Sequence, residues 1–149
     1  MVQLTDVTMR LNYATNSGGA IYNNGTIIAE GLTLTDNTAN NGAGIYNTSS
    51  ATVENLSALQ RNTAIQAGGA VFNAASGNFT LNSSDVSNND ATEGAAVYNE
   101  GELQLTNTNL GSGNTATLAG GGLFNSGQAT LLNSAVFQND APTGAGIFN

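Results

Sequence analysis

Histidine, cysteine, lysine and tryptophan are all missing from this 149-residue chain. Without histidine no Ser-His or Cys-His pair can activate a nucleophile. Without cysteine neither disulfide staples nor thiolate metal sites can form. Basic charge is scarce too: Arg10 and Arg61 stand against ten acids, for a net charge of −8. Nucleic acid binding needs clustered lysine and arginine, and anionic membrane surfaces attract the same groups, so neither partner is expected. Proline occurs once, and charged residues make up 8% of the chain against about 25% in ordinary domains. No apolar run approaches the roughly 18 residues of a membrane-spanning helix. Met1–Arg10 shows no basic stretch leading into an apolar one, so no signal peptide is expected there.

What is abundant is asparagine, with 23 residues, and glycine, with 19. The apolar content of 40% is too high for a disordered tail, and the near-absence of proline excludes collagen. A core can therefore be buried, built from short pieces of Val, Ile, Leu, Ala and Phe.

The order of these residues is periodic. The phrase Gly-Gly-Ala-Ile-Tyr-Asn at 18–23 returns as GAGIYN (42–47), GGAVFN (68–73), GAAVYN (94–99), GGGLFN (120–125) and GAGIFN (144–149). Its closing residues, Asn23, Asn47, Asn73, Asn99, Asn125 and Asn149, are separated by 24, 26, 26, 26 and 24 positions. A second phrase, Asn-x-Ala, lies between them and begins at Asn12, Asn37, Asn62, Asn89, Asn114 and Asn139, spaced 25, 25, 27, 25 and 25. Two independent markers thus keep one period of about 25 residues along the whole chain, the signature of a stacked repeat.

Within each unit the short alternating pieces, such as Leu103–Asn107, Phe79–Asn82 and Val2–Asp6, read as strands rather than helix. Each unit offers three: the I-Y-N phrase, the L-x-L-T piece and a hydrophobic-x-x-Asn piece. Units this small cannot bury a face alone. The expected fold is all-β: a parallel β-helix, or β-solenoid, of six rungs forming one domain over 1–149. Right-handed winding is expected from the bias of parallel crossovers. Rungs of unequal length place extra residues at turns such as Thr48-Ser49-Ser50 and Ala74-Ala75-Ser76-Gly77.

Stacking explains the asparagines. An Asn amide carries both a donor and an acceptor, so copies lying one above another can bond in both directions and bury polar atoms fully satisfied. Both Asn columns are read as structural ladders, and the glycines as corner residues. The column Tyr22, Tyr46, Phe72, Tyr98, Phe124 and Phe148 admits two readings. If Ile21 and its copies point inward, alternation turns the aromatics outward as a contact stripe. If parity breaks at a corner, they cap the core.

Units pairing G-G-A-[ILV] with hydrophobic-x-x-Asn resemble the polymorphic outer-membrane-protein type repeat of bacterial autotransporter passengers and other surface proteins. The resemblance covers essentially the whole chain. The second motif departs from that family's usual Phe, with Met9, Leu34, Leu59, Val86 or Val136 in its place, and in one unit Leu110 lies four residues before Asn114. The resemblance implies a right-handed β-helix at a bacterial cell surface or outside the cell, acting as an adhesin-like scaffold or binding module. Its partner would be a glycan or a host or cell-surface protein.

Two other functions for such a fold are weighed. A carbohydrate-active β-helix would bind or cleave polysaccharide, and inverting hydrolysis needs two carboxylates about 6.5–9.5 Å apart. Asp90, Glu93, Glu100 and Glu102 are the candidates, grouped at one corner. The same acids are a weak candidate for Ca²⁺. No histidine or lysine supports them, so no catalytic residue, cofactor or metal is assigned and the chain is not expected to be an enzyme. An ice-binding surface would need a flat threonine array. Thr33/Thr35 and Thr106/Thr108 hint at one, but other units break it. Neither end of the sequence carries a capping pattern. A segment of a longer array is therefore expected, with end-to-end self-association as the other outcome.

Overall fold

In the computed structural model, which describes residues 1–149, the chain winds into six stacked coils and contains no helix. Every strand pairs in parallel with its copies in the neighbouring coils. The strands beginning with Val2–Thr5 and ending with Gln128–Leu132 form the first sheet, which has six members. A second six-stranded sheet runs from Thr8–Arg10 to Ala135–Phe137. The I-Y-N strands, Ile21–Asn23 to Ile147–Phe148, form another set of six.

Three strands per unit were expected, and the structure has four. The Asn-x-Ala phrase opens a strand of its own: Thr38–Asn41, Thr63–Ala67, Asp90–Glu93 and Thr115–Ala119 make a four-stranded sheet. Its inward residues are Ala39, Ala64, Ala91 and Ala116, all buried. Alanine between polar residues gives almost no alternating hydrophobic signal, which is why this strand is not among the three expected.

The interior follows from this division. Twenty buried residues, including Leu34, Leu59, Phe79, Leu81, Val97 and Leu105, pack between the three six-stranded sheets. A separate cluster of six alanines lies under the four-stranded sheet. Small side chains there let the backbone come close, and the larger core carries most of the apolar burial, about 1.5–3 kcal/mol per large side chain.

Three corners of each coil turn through the left-handed backbone region. One is always glycine, as at Gly18, Gly42 and Gly68. The other two accept side chains: Asp36, Arg61 and Asn88 sit immediately before a ladder asparagine, and Ser83, Asn107 and Asn133 occupy the third corner. Such residues cost about 1 kcal/mol or more each, offset by the stacking they permit.

Length differences fall where the pairing register shifts. Ala74–Gly77 holds extra residues as expected, since Ser50 pairs with Asn78. Thr48–Ser50 does not: Thr26 pairs with Ser50 and Asn23 with Asn47 at the same offset. That rung gains one residue at the double left-handed corner Asn55–Leu56 and another as a bulge within Thr63–Ala67. In the irregular unit Leu110 still fills the core slot between Val86 and Val136. Its added residue is absorbed by Ser112 and Gly113, both left-handed.

Candidate functional site

Both asparagine columns run unbroken through the molecule. Asn23 Nδ2 donates to Asn47 Oδ1 at 2.7 Å, and the step repeats at 2.8 Å through Asn73, Asn99, Asn125 and Asn149. Asn12, Asn37, Asn62, Asn89, Asn114 and Asn139 form the second ladder, with steps of 2.9–3.1 Å. Each ladder is also tied to the main chain. Asn62 Nδ2 donates to the Leu34 carbonyl, and the Asn62 amide N–H donates to Asn89 Oδ1. In the first ladder Asn73 Nδ2 reaches the Gly77 and Glu102 carbonyls. No buried side-chain polar atom lacks a partner.

A third polar column is hidden in the sequence. Ser57 Oγ donates to the Glu54 carbonyl and accepts the Leu32 amide, and Thr108 Oγ1 donates to the Leu81 carbonyl. With Ser84, both are buried just after a left-handed corner. The signal is a hydroxyl at the repeat spacing, diluted because Val7 and Leu32 fill the same position in the first two coils. Burial of Thr108 also removes it from any threonine array. Thr33 and Thr35 lie in the second sheet, whereas Thr106 ends a strand of the first, so the two T-x-T pairs share no face.

The aromatic column faces outward. Ile21, Ile45, Val71, Val97 and Leu123 are buried on one side of it and the ladder asparagines on the other. All six rings form one continuous stack, with centroids 4.7–5.3 Å apart and planes within 9–19° of parallel. Each ring therefore covers its neighbour's face and offers solvent an edge. Exposure ranges from 56% at Tyr22, the outermost ring, to 9% at Phe72. Burial, and then the negative charge of Glu100 and Glu93, pushes the Tyr98 hydroxyl above its ordinary value. Burial does the same at Tyr46, with smaller effects from Tyr22 and Glu100.

The four acids grouped in the sequence are not grouped in space as one site. Asp90 and Glu93 belong to the four-stranded sheet, while Glu100 and Glu102 lie beyond the I-Y-N strand, at the start of a first-sheet strand. Glu102 accepts a hydrogen bond from Asn78 Nδ2. No three acidic side chains are placed to hold one metal ion. Asp36 pairs with Arg61 at 2.9 Å on the surface, and that bond draws its carboxyl below the ordinary range.

The first coil carries both phrases: the left-handed corner at Asp6, Met9-x-x-Asn12, and Gly18 through Asn23. Residues 6–24 match the Chlamydia polymorphic membrane protein repeat. The matched repeat contains one step of each asparagine column and the first ring of the aromatic stack. The next coil pairs with it in register over Thr8–Arg10 and over Ile21–Asn23. No curated protein matches the chain, and no solved structure does.

Proposed function

We propose that this solenoid is a non-catalytic surface scaffold that presents a contact face to a protein partner. The carrying observation is how the chain's conspicuous polar and aromatic groups are used. Twelve asparagines are spent on stacking, with their amides bonded to each other and to the main chain. The match of residues 6–24 to a polymorphic membrane protein repeat supports placement at a bacterial surface and an adhesin-like role. The aromatic geometry favours protein over glycan. Sugars stack on exposed ring faces, whereas these rings present edges, which suit apolar side chains.

Separating the readings takes two assays on the intact chain. Incubation with pectin-type and other acidic polysaccharides is expected to release neither unsaturated nor reducing-end products. Turnover abolished by Asp90→Ala or Glu102→Ala would overturn the scaffold reading. A glycan array is expected to show no binding, and strong binding lost in Tyr22→Ser would transfer the contact face to sugar.

A further inference from the structure

The four-stranded sheet is not uniform along the axis. Strands Thr63–Ala67 and Thr115–Ala119 have five residues, while Asp90–Glu93 between them has four. The register shifts on both sides of the short strand. The extra residues bulge outward, and bulges commonly serve to re-aim side chains. Here they project Ile65, 64% exposed, and Leu118, 52% exposed. The hydroxyl of Thr92 donates to the Ile65 carbonyl at 2.8 Å and so satisfies the backbone of one bulge.

Between the bulges lies a groove of about 440 Å³, walled by Gln66 and Leu118 and floored by Thr92, Glu93, Phe72 and Tyr98. With strands about 4.8 Å apart, its two walls stand about 9.6 Å from each other, two strand spacings, which is the width one extended chain takes between two others. The charge in it is negative and uncompensated. Glu93 is the lining carboxylate, Glu100 is near enough to act on Tyr98, and the chain's one ion pair uses Arg61 elsewhere. A second copy of this chain, with two arginines in all, is a poor source of the missing cation.

We infer that this groove binds an extended, basic segment of another protein, with a lysine or arginine paired to Glu93 and, two positions along on the same face of the segment, an apolar side chain seated between Leu118 and the edges of Phe72 and Tyr98. The inference rests on the binding-module reading and gives it a location and a partner chemistry. The charged contact supplies orientation and rate, and the apolar wall supplies most of the affinity.

The test is fluorescence anisotropy with the 149-residue protein and three labelled probes: a decapeptide with valine and lysine taking turns at every second position and serine between them, its counterpart with glutamate for lysine, and decalysine. The valine–lysine peptide is expected to bind best. Its affinity should fall at least tenfold in Glu93→Gln and in Leu118→Thr, and stay unchanged in Glu102→Gln, an acid on the first sheet. Glu93→Lys should reverse the preference toward the glutamate peptide. Unchanged melting temperatures would establish that each variant is folded. Failure of the valine–lysine peptide to bind overturns the groove assignment. So does equal binding of decalysine with equal loss in Glu102→Gln, which would mean diffuse charge attraction. Either failure leaves the scaffold reading standing, because that reading is decided by turnover.

Discussion

At the scale of single residues, this protein treats asparagine as a core residue. Asn73 is fully buried, accepts from Asn47, and donates to Asn99 and to the Gly77 and Glu102 carbonyls. Asn73→Ala is expected to cost about 2–4 kcal/mol, because each buried group left unpaired costs about 1–3 kcal/mol. Urea unfolding would measure the loss, with Asn24→Ala, at an exposed turn position, as a surface reference near zero. Asp90 gives a pH signature. Burial of its surroundings holds its carboxyl above the ordinary aspartate value, so the folded chain binds that proton more tightly than the unfolded chain does. The associated stability is complete below the unfolded value, about pH 4, and is lost as pH rises through the folded one. Asp90→Asn should therefore raise the melting temperature at pH 7 and leave it unchanged at pH 3. The carboxyl is largely solvated, so the rise is small.

Strands and corners differ sharply in tolerance. The turn Ala74–Gly77 is two residues longer than the turns at 24–25 and 100–101 yet leaves the pairing on both sides intact. A Gly-Ser insertion after Ala75 is expected to cost less than about 1 kcal/mol, since loop closure entropy grows slowly with length. The same insertion after Gln104 would put glycine in the inward position that Leu105 holds between Leu81 and Leu131 and push Leu105 two residues along the strand, and thermal melts should show a loss of many degrees. Legibility in the sequence follows the same division. The six-stranded sheets were readable because Ile, Val and Leu alternate with polar residues there. The four-stranded sheet was not, because alanine marks its inward side. The stacked aromatic column was visible as a repeat, but its outward direction stayed open until Ile21 and Asn23 were both seen buried. The groove left only a faint mark: the interval between the two ladder asparagines is 11 residues from Asn62 to Asn73 and from Asn114 to Asn125 but 10 from Asn89 to Asn99, an alternation masked by a repeat period that itself varies between 24 and 27.

For the molecule as a whole, stability accumulates from contacts between neighbouring coils. The middle coils have a neighbour on each side, and their large side chains, such as Val71, Phe79, Leu81 and Val97, are fully buried. In the outer coils the strands Val2–Thr5 and Gln128–Leu132 contain no fully buried residue. Amide hydrogen exchange followed by mass spectrometry should show protection rising from both ends to a maximum between residues 70 and 106. Uniform protection along the chain would mean that the coils unfold as one cooperative unit.

Every side-chain amide in the two ladders points the same way. At every step of both ladders the Nδ2 of one coil donates to the Oδ1 of the following coil. Main-chain bonds between coils run both up and down the axis, whereas the ladder carboxamides all run one way and add. The rod is therefore electrically polar along its length, with its positive pole toward the last coil. Reversing one amide would oppose donor to donor on one side and acceptor to acceptor on the other. The orientation of each column is thus a collective property, set once for all six coils and divided into independent halves by the loss of any interior asparagine.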